Sequence, residues 1–101
     1  MFKYKNNKLP IYKYLDISTA HITKETNELL IKNSDNEQFP VIVLKTGHGF
    51  FINIPYNIDE LERELPGDLI SCLGFAQKYS CRWLMLDCDA EVIDDLETYD
   101  W

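Results

Sequence analysis

The residues best suited to chemistry lie near the end of the chain, where Trp83-Leu84-Met85-Leu86 runs into Asp87-Cys88-Asp89-Ala90-Glu91. Alternating carboxylates after an apolar run can hold a hard cation through oxygen. Read as a calcium loop from Asp87, the ligands fall at Asp87, Asp89, Glu91 and Asp95. Val92, however, stands where the sharp turn needs Gly, and Thr98 stands where a bidentate Glu is needed. A run of four apolar residues followed by Asp-x-Asp also opens phosphoryl-transfer enzymes that use the first Asp as nucleophile. Those enzymes need a large α/β core after the motif, and only twelve residues follow Asp89. What survives is a trio of Asp87, Asp89 and the distant His21, which would make a small metal-dependent hydrolase or nuclease.

The remaining reactive side chains have simpler readings. His21 stands between a predicted strand and a predicted helix, with no partnered nucleophile in sight, so a bond to a nearby carbonyl or carboxylate is expected. Ser18 and Thr19 suit turn and capping roles. His48, between Gly47 and Gly49, belongs at a hairpin tip. Cys72, Cys81 and Cys88 make an odd count without C-x-x-C spacing, as expected of free thiols in a reducing compartment. The sequence therefore points to no catalytic residue, no resident metal and no cofactor, and to a protein that is not an enzyme.

Charge points elsewhere. Residues 1–32 hold six Lys against three acids, a sum of +3, while residues 33–101 hold four bases against fourteen acids, a sum of −10. Direct contact with nucleic acid is disfavoured, because such binding needs a cationic stripe that releases counterions. A basic protein surface is favoured instead, such as that of a nucleic-acid-binding effector. The acidic tract supplies Glu91, Asp94, Asp95, Glu97 and Asp100, with Tyr99 and Trp101 as aromatic anchors, and these seven residues form the expected partner-binding set. Val92, Ile93, Leu96, Tyr99 and Trp101 recur at spacings of three and four, which predicts a helical turn packed on the sheet with the acids facing water. Trp101 is expected to dock, into the core or against a partner.

These residues must be positioned by a small fold. A chain of 101 residues is expected to form a single domain, residues 1–101, and no Pro/Gly/Ser-rich linker divides it. Residues 1–10 read as an edge hairpin or a loose arm. A strand follows at 11–18, then a helix at 24–33 behind Thr23. Val41–Lys45 and Phe50–Ile54 flank a glycine-bearing tip and predict a hairpin. The first arm is apolar on both faces, which predicts a place inside the sheet. Asp59 can cap a short turn. Leu69, Cys72, Leu73, Ala76 and Tyr79 predict one buried face of a helix beginning near Pro66. Trp83–Asp87 closes the sheet.

That order predicts an α/β (α+β) domain: a four-stranded mixed or antiparallel sheet with two helices on one face, ferredoxin-like or split β-α-β. An order with the first strand parallel and adjacent to the second is equally compatible. The uncovered sheet face would carry Tyr12, Tyr14 and Phe51, so a homodimer or homo-oligomeric structural module is a further expectation. No apolar segment after Met1–Lys8 is long enough for a signal peptide, and the longest aliphatic runs are four residues. A cytoplasmic protein without membrane contact is expected.

Several stretches resemble a small bacterial family of unknown function: Ser-Thr-Ala-His-Ile-Thr at 18–23, Phe-Pro-Val at 39–41, Leu-Pro-Gly-Asp-Leu at 65–69, Cys-x-Trp-Leu-x-Leu-Asp at 81–87, and Tyr-Asp-Trp at 99–101. The resemblance covers roughly residues 15–101. It implies coding on plasmids and mobile elements, often near anti-restriction or toxin-antitoxin genes, and it carries no active site. Ala90 stands where Gly is expected in relatives, which further weakens a glycine-dependent metal loop. Together these readings predict an acidic, non-catalytic interaction protein that inhibits a host nucleic-acid-targeting defence, in the anti-CRISPR or anti-restriction style, by presenting carboxylates to a basic groove as a DNA mimic.

Overall fold

The apolar run near the end becomes strand β4 (Trp83–Asp87), and the sheet is built on both of its edges. Successive side chains of a strand alternate between faces, so Leu84 and Leu86 enter the core while Trp83, Met85 and Asp87 face away. Strand β1 (Tyr14–Ser18) pairs with β4 in parallel, setting Leu15 beside Leu84 and Ile17 beside Leu86. Strand β3 (Gly49–Asn53) pairs with the other edge of β4 antiparallel, setting Ile52 beside Leu84 and Phe50 beside Leu86. Strand β2 (Val43–Lys45) closes the hairpin against β3. The computed structural model, which describes residues 9–101, thus has the strand order β1-β4-β3-β2. The part of the expected N-terminal hairpin or arm up to Lys8 lies outside the described residues.

The mixed four-stranded sheet with two helices is the α+β class that the sequence predicts. In strand order it departs from a split β-α-β unit: the parallel partners β1 and β4 are neighbours, with no strand between them, and β1 meets the fourth strand rather than the second. The hairpin also sits differently. Although Val41–Lys45 is apolar on both faces, β2 is an edge strand, and Ile42 and Leu44 remain exposed. Only Val41 and Val43 of this run reach the core.

Helix α1 (Lys24–Lys32) starts where predicted: the Thr23 hydroxyl accepts a hydrogen bond from the Thr26 backbone N–H at 3.1 Å. Glu25 in its first turn and Lys32 in its last both suit the helix dipole. Helix α2 (Gly67–Lys78) follows Pro66 and buries Leu69, Cys72, Leu73 and Ala76 on one face. Tyr79, expected on that stripe, lies past the last helical turn and is half exposed. The turn at Ile58–Leu61 begins after Asn57, not at Asp59. Buried residues of both helices and of all four strands belong to one cluster on a single sheet face.

Asp68 joins the two helices. Its Oδ2 accepts from the Thr23 backbone N–H at 2.8 Å and its Oδ1 accepts from the Thr26 hydroxyl at 2.8 Å. One carboxylate at the start of α2 therefore satisfies a backbone donor left free at the start of α1.

At Gly49 the start of β3 lies directly against the β4 backbone. A Cβ at this position would overlap the Leu86 carbonyl oxygen, a backbone atom that cannot rotate away. Gly49→Ala is therefore expected to lower the unfolding free energy by more than about 2 kcal/mol in urea titrations. Gly47→Ala, which meets no atom within 4 Å, should change it by less than about 1 kcal/mol.

Candidate functional site

Beyond β4 the chain forms turns and extended segments from Cys88 to Trp101, not the predicted helical turn. Its hydrogen bonds explain the difference. The Ser18 N–H donates to Glu91 O at 3.0 Å and the Tyr99 N–H donates to Ala20 O at 2.9 Å, so the tail pairs with the β1 exit rather than with itself. Ile93 and Leu96 pack on the core, while Val92, which the spacing placed with them, is exposed.

His21 fastens this segment. It is almost fully buried, in the short 3-10 turn Thr19–His21 that continues β1. Its Nε2 accepts the Ile93 backbone N–H at 3.0 Å, which places the ring proton on Nδ1, and Nδ1 donates to Glu97 O at 2.8 Å. Both ring nitrogens are thus committed to tail backbone, as the carbonyl-bonding reading of His21 anticipated. Trp101 adds a third fastening: its indole N–H donates to Ile22 O at 2.9 Å while about half of the residue remains exposed.

The structure does not gather His21, Asp87 and Asp89. Asp87 Oδ1 accepts from the Asp89 backbone N–H at 2.8 Å, a local turn, and His21 is occupied by the tail. It does gather much of the acidic set. Asp94, Asp95, Glu97 and Tyr99 line a pocket of about 380 Å³ between the tail and α2, and Asp68, Cys72 and His21 are also part of its wall. Glu91 and Asp100 are exposed nearby along the tail, and Trp101 borders a separate groove with Thr23, Glu25 and Tyr99. Between the described residues, no Lys or Arg forms an ion pair with any carboxylate.

This electrostatic setting acts on its neighbours. Burial first, and the Asp68 charge second, push the Cys72 thiol up to about 12, so Cys72 is a neutral core group that donates to His21 O at 3.6 Å. Desolvation, followed by the carboxylates of Asp68 and Glu97, also holds the Tyr99 hydroxyl protonated beyond its ordinary range.

Residues 14–101 match the domain described as "Family of unknown function (DUF5983) C-terminal domain". The chain belongs to the DUF5983 family. The match runs from the first residue of β1 to Trp101, so the docked tail lies inside the DUF5983 domain rather than appended to it. Comparison with curated proteins and with solved structures finds no match.

Asp68 is the pocket carboxylate that the sequence did not place in the site. The Asp at the start of α2 is visible as a helix dipole residue, but its approach to the tail depends on how α1 and α2 pack. The described part of this DUF5983 domain has no helix long and apolar enough to cross a membrane.

His21→Ala removes two hydrogen bonds and leaves an internal void, so it should reduce stability by about 2–4 kcal/mol. Limited proteolysis is expected to cut between Glu91 and Trp101 in this variant before the rest of the domain. A tail that stays equally resistant would show that the imidazole is not its main fastening.

Proposed function

We propose that the docked acidic tail is a non-catalytic binding surface for a basic protein partner. The observation that supports this reading is the pocket lined by four carboxylates, those of Asp68, Asp94, Asp95 and Glu97, with no cation of the described chain paired to them. Like charges lining one pocket repel one another, and an incoming Lys or Arg side chain relieves that repulsion. The volume suits one long basic side chain, and the carboxylates flanking the pocket along the tail attract further positive charge. Trp101, anchored through its indole N–H and half exposed, supplies apolar area beside the charge.

The finer reading is that the basic surface is the nucleic-acid groove of a host defence complex, which the carboxylates of Glu91 to Asp100 would occupy in place of phosphates. The spacing of charge along an extended, fastened segment suits such mimicry better than a freely moving tract, because the carboxylates lose little freedom on binding.

An oligoarginine peptide provides a direct probe. Its affinity is expected to fall as salt rises, and to drop about tenfold or more in Asp94→Asn/Asp95→Asn/Glu97→Gln. The control Glu62→Gln/Glu64→Gln, which removes exposed acids near the turn before α2, should leave affinity within about twofold. Equal losses in both variants would reduce the effect to net charge and dismiss the pocket.

A second reading is favoured by the sheet face turned away from the helices. Phe51 stacks on Trp83 with centroids 4.6 Å apart and meets the edge of Tyr14 at 5.7 Å, forming an aromatic row across β3, β4 and β1. A second copy of the chain could cover this row. Sedimentation at rising concentration should then show a dimer that Phe51→Lys dissociates, and a wild-type monomer throughout would exclude it.

A further inference from the structure

The parallel pairing of β1 and β4 brings both of their carboxyl ends to one end of the sheet, where β3 also begins. The hairpin tip Thr46-Gly47-His48 therefore lies against the β4 exit. Three potential metal ligands of three different kinds meet there: the imidazole of His48, the thiol of Cys88 and the carboxylate of Asp89. One donor atom from each lies within 4.8 Å of the other two. These residues come from two separate segments that the sequence does not link.

We propose that His48, Cys88 and Asp89 form a three-ligand site for a divalent transition cation of the zinc class. The donor set decides the class. Nitrogen and sulfur ligands with a single carboxylate suit zinc and its soft neighbours, whereas calcium and magnesium take oxygen alone. Zinc bonds of about 2.0–2.3 Å in a tetrahedron set neighbouring donor atoms about 3.5 Å apart. His48 Nδ1 and Asp89 Oδ2 are already 3.7 Å apart, and the Cys88 sulfur lies within 4.8 Å of a donor atom of each on side chains that are all exposed.

The backbone beneath the ligands is fixed. The Cys88 N–H donates to His48 O at 3.0 Å, tying the hairpin tip to the β4 exit, and the Asp87 side chain accepts the Asp89 N–H at 2.8 Å. Gly49 lets the hairpin approach this closely, because any side chain there would collide with Leu86. On binding, the Cys88 thiol gives its proton to solvent and the thiolate takes the metal. Three protein ligands leave a fourth position for water or an external donor, as in zinc centres that are not purely structural. Beside the site runs a groove of about 520 Å³, lined by His48 and Cys88 together with Ser18, Asn27, Tyr99 and Trp101, with room for a molecule that carries that donor.

The site shares only Asp89 with the trio of His21, Asp87 and Asp89. It uses neither His21, which holds the tail, nor the Asp87 oxygen, which holds Asp89. None of its three ligands lines the acidic pocket, although the groove beside it shares Tyr99 and Trp101 with the tail surface.

Cobalt(II) added to the full chain tests the proposal through the thiolate-to-metal charge-transfer absorption that a Cys ligand produces. One equivalent per chain should generate the band, zinc should abolish it by competition, and zinc should protect Cys88 from iodoacetamide. Cys88→Ser should remove the band, and His48→Gln and Asp89→Asn should each weaken zinc binding by more than about tenfold in calorimetry. Cys81→Ser should change neither. All three ligands are exposed, so these variants should fold. Absence of the band, its persistence in Cys88→Ser, or unchanged zinc affinity in His48→Gln would overturn the proposal. So would alkylation of Cys88 that depends on His48 but ignores zinc, which would instead mark a thiol–imidazole pair.

Discussion

Both nitrogens of one buried imidazole hold this domain's acidic end in place. A tract with Glu91, Asp94, Asp95, Glu97 and Asp100 and no base has no electrostatic reason to stay on an acidic protein. Its attachment is almost entirely neutral: His21 takes a donor at Ile93 and gives one to Glu97, Ala20 accepts from Tyr99, Ile22 accepts from Trp101, and Ile93 and Leu96 pack on the core. Neutral hydrogen bonds and apolar burial are little affected by salt or by the charge of a partner. The carboxylates can therefore face outward while the backbone that carries them stays fixed.

The same requirement explains why the tail is not helical. Five apolar residues at helical spacing predict an amphipathic turn, but a helix through this segment would turn the Ile93 N–H toward the Asp89 carbonyl and the Glu97 carbonyl toward the Trp101 N–H, taking both groups away from His21. The competing partners are better: the β1 exit and the turn after it end in unpaired backbone groups at Ser18, Ala20 and Ile22, all of which the tail satisfies. Periodicity records which residues avoid water. It does not record which backbone groups elsewhere lack partners, and here those groups decided the local structure.

Legibility in the sequence follows the same division. Signals carried by neighbouring residues were readable: the Thr23 cap, the inward alternation of Phe50, Ile52 and Ile54, the helix face from Leu69 to Ala76, and the strand at Trp83–Asp87. Signals that depend on strand order were not. Val41–Lys45 reads as a central strand because both faces are apolar, yet β2 lies at the edge, since β4 occupies the middle with β1 on its other side. The acidic pocket was half legible. Its tail residues stand out by charge, but Asp68 joins them only through the packing that also lets it cap α1.

The parallel β1–β4 pair accounts for the rest of the molecule's asymmetry. In a sheet with alternating directions, the exits of its first and last strands would lie at opposite ends, and the tail could not reach the turn that holds His21. With β1 and β4 parallel and adjacent, the two exits lie side by side, so residues 18–22 and 91–101 can bond across a short gap. The antiparallel hairpin adds its tip to the same end, with Gly49 opposite Asp87. Polar and reactive side chains are thereby concentrated at one end of the sheet: His21 inside, His48 and Cys88 at the rim, and the carboxylates of the tail around them. The sheet face turned away from the helices carries the aromatic row, with Asp16, Asn53 and Asp87 on the same face. A single choice of strand direction thus separates a polar end suited to ions and basic side chains from an aromatic face suited to packing.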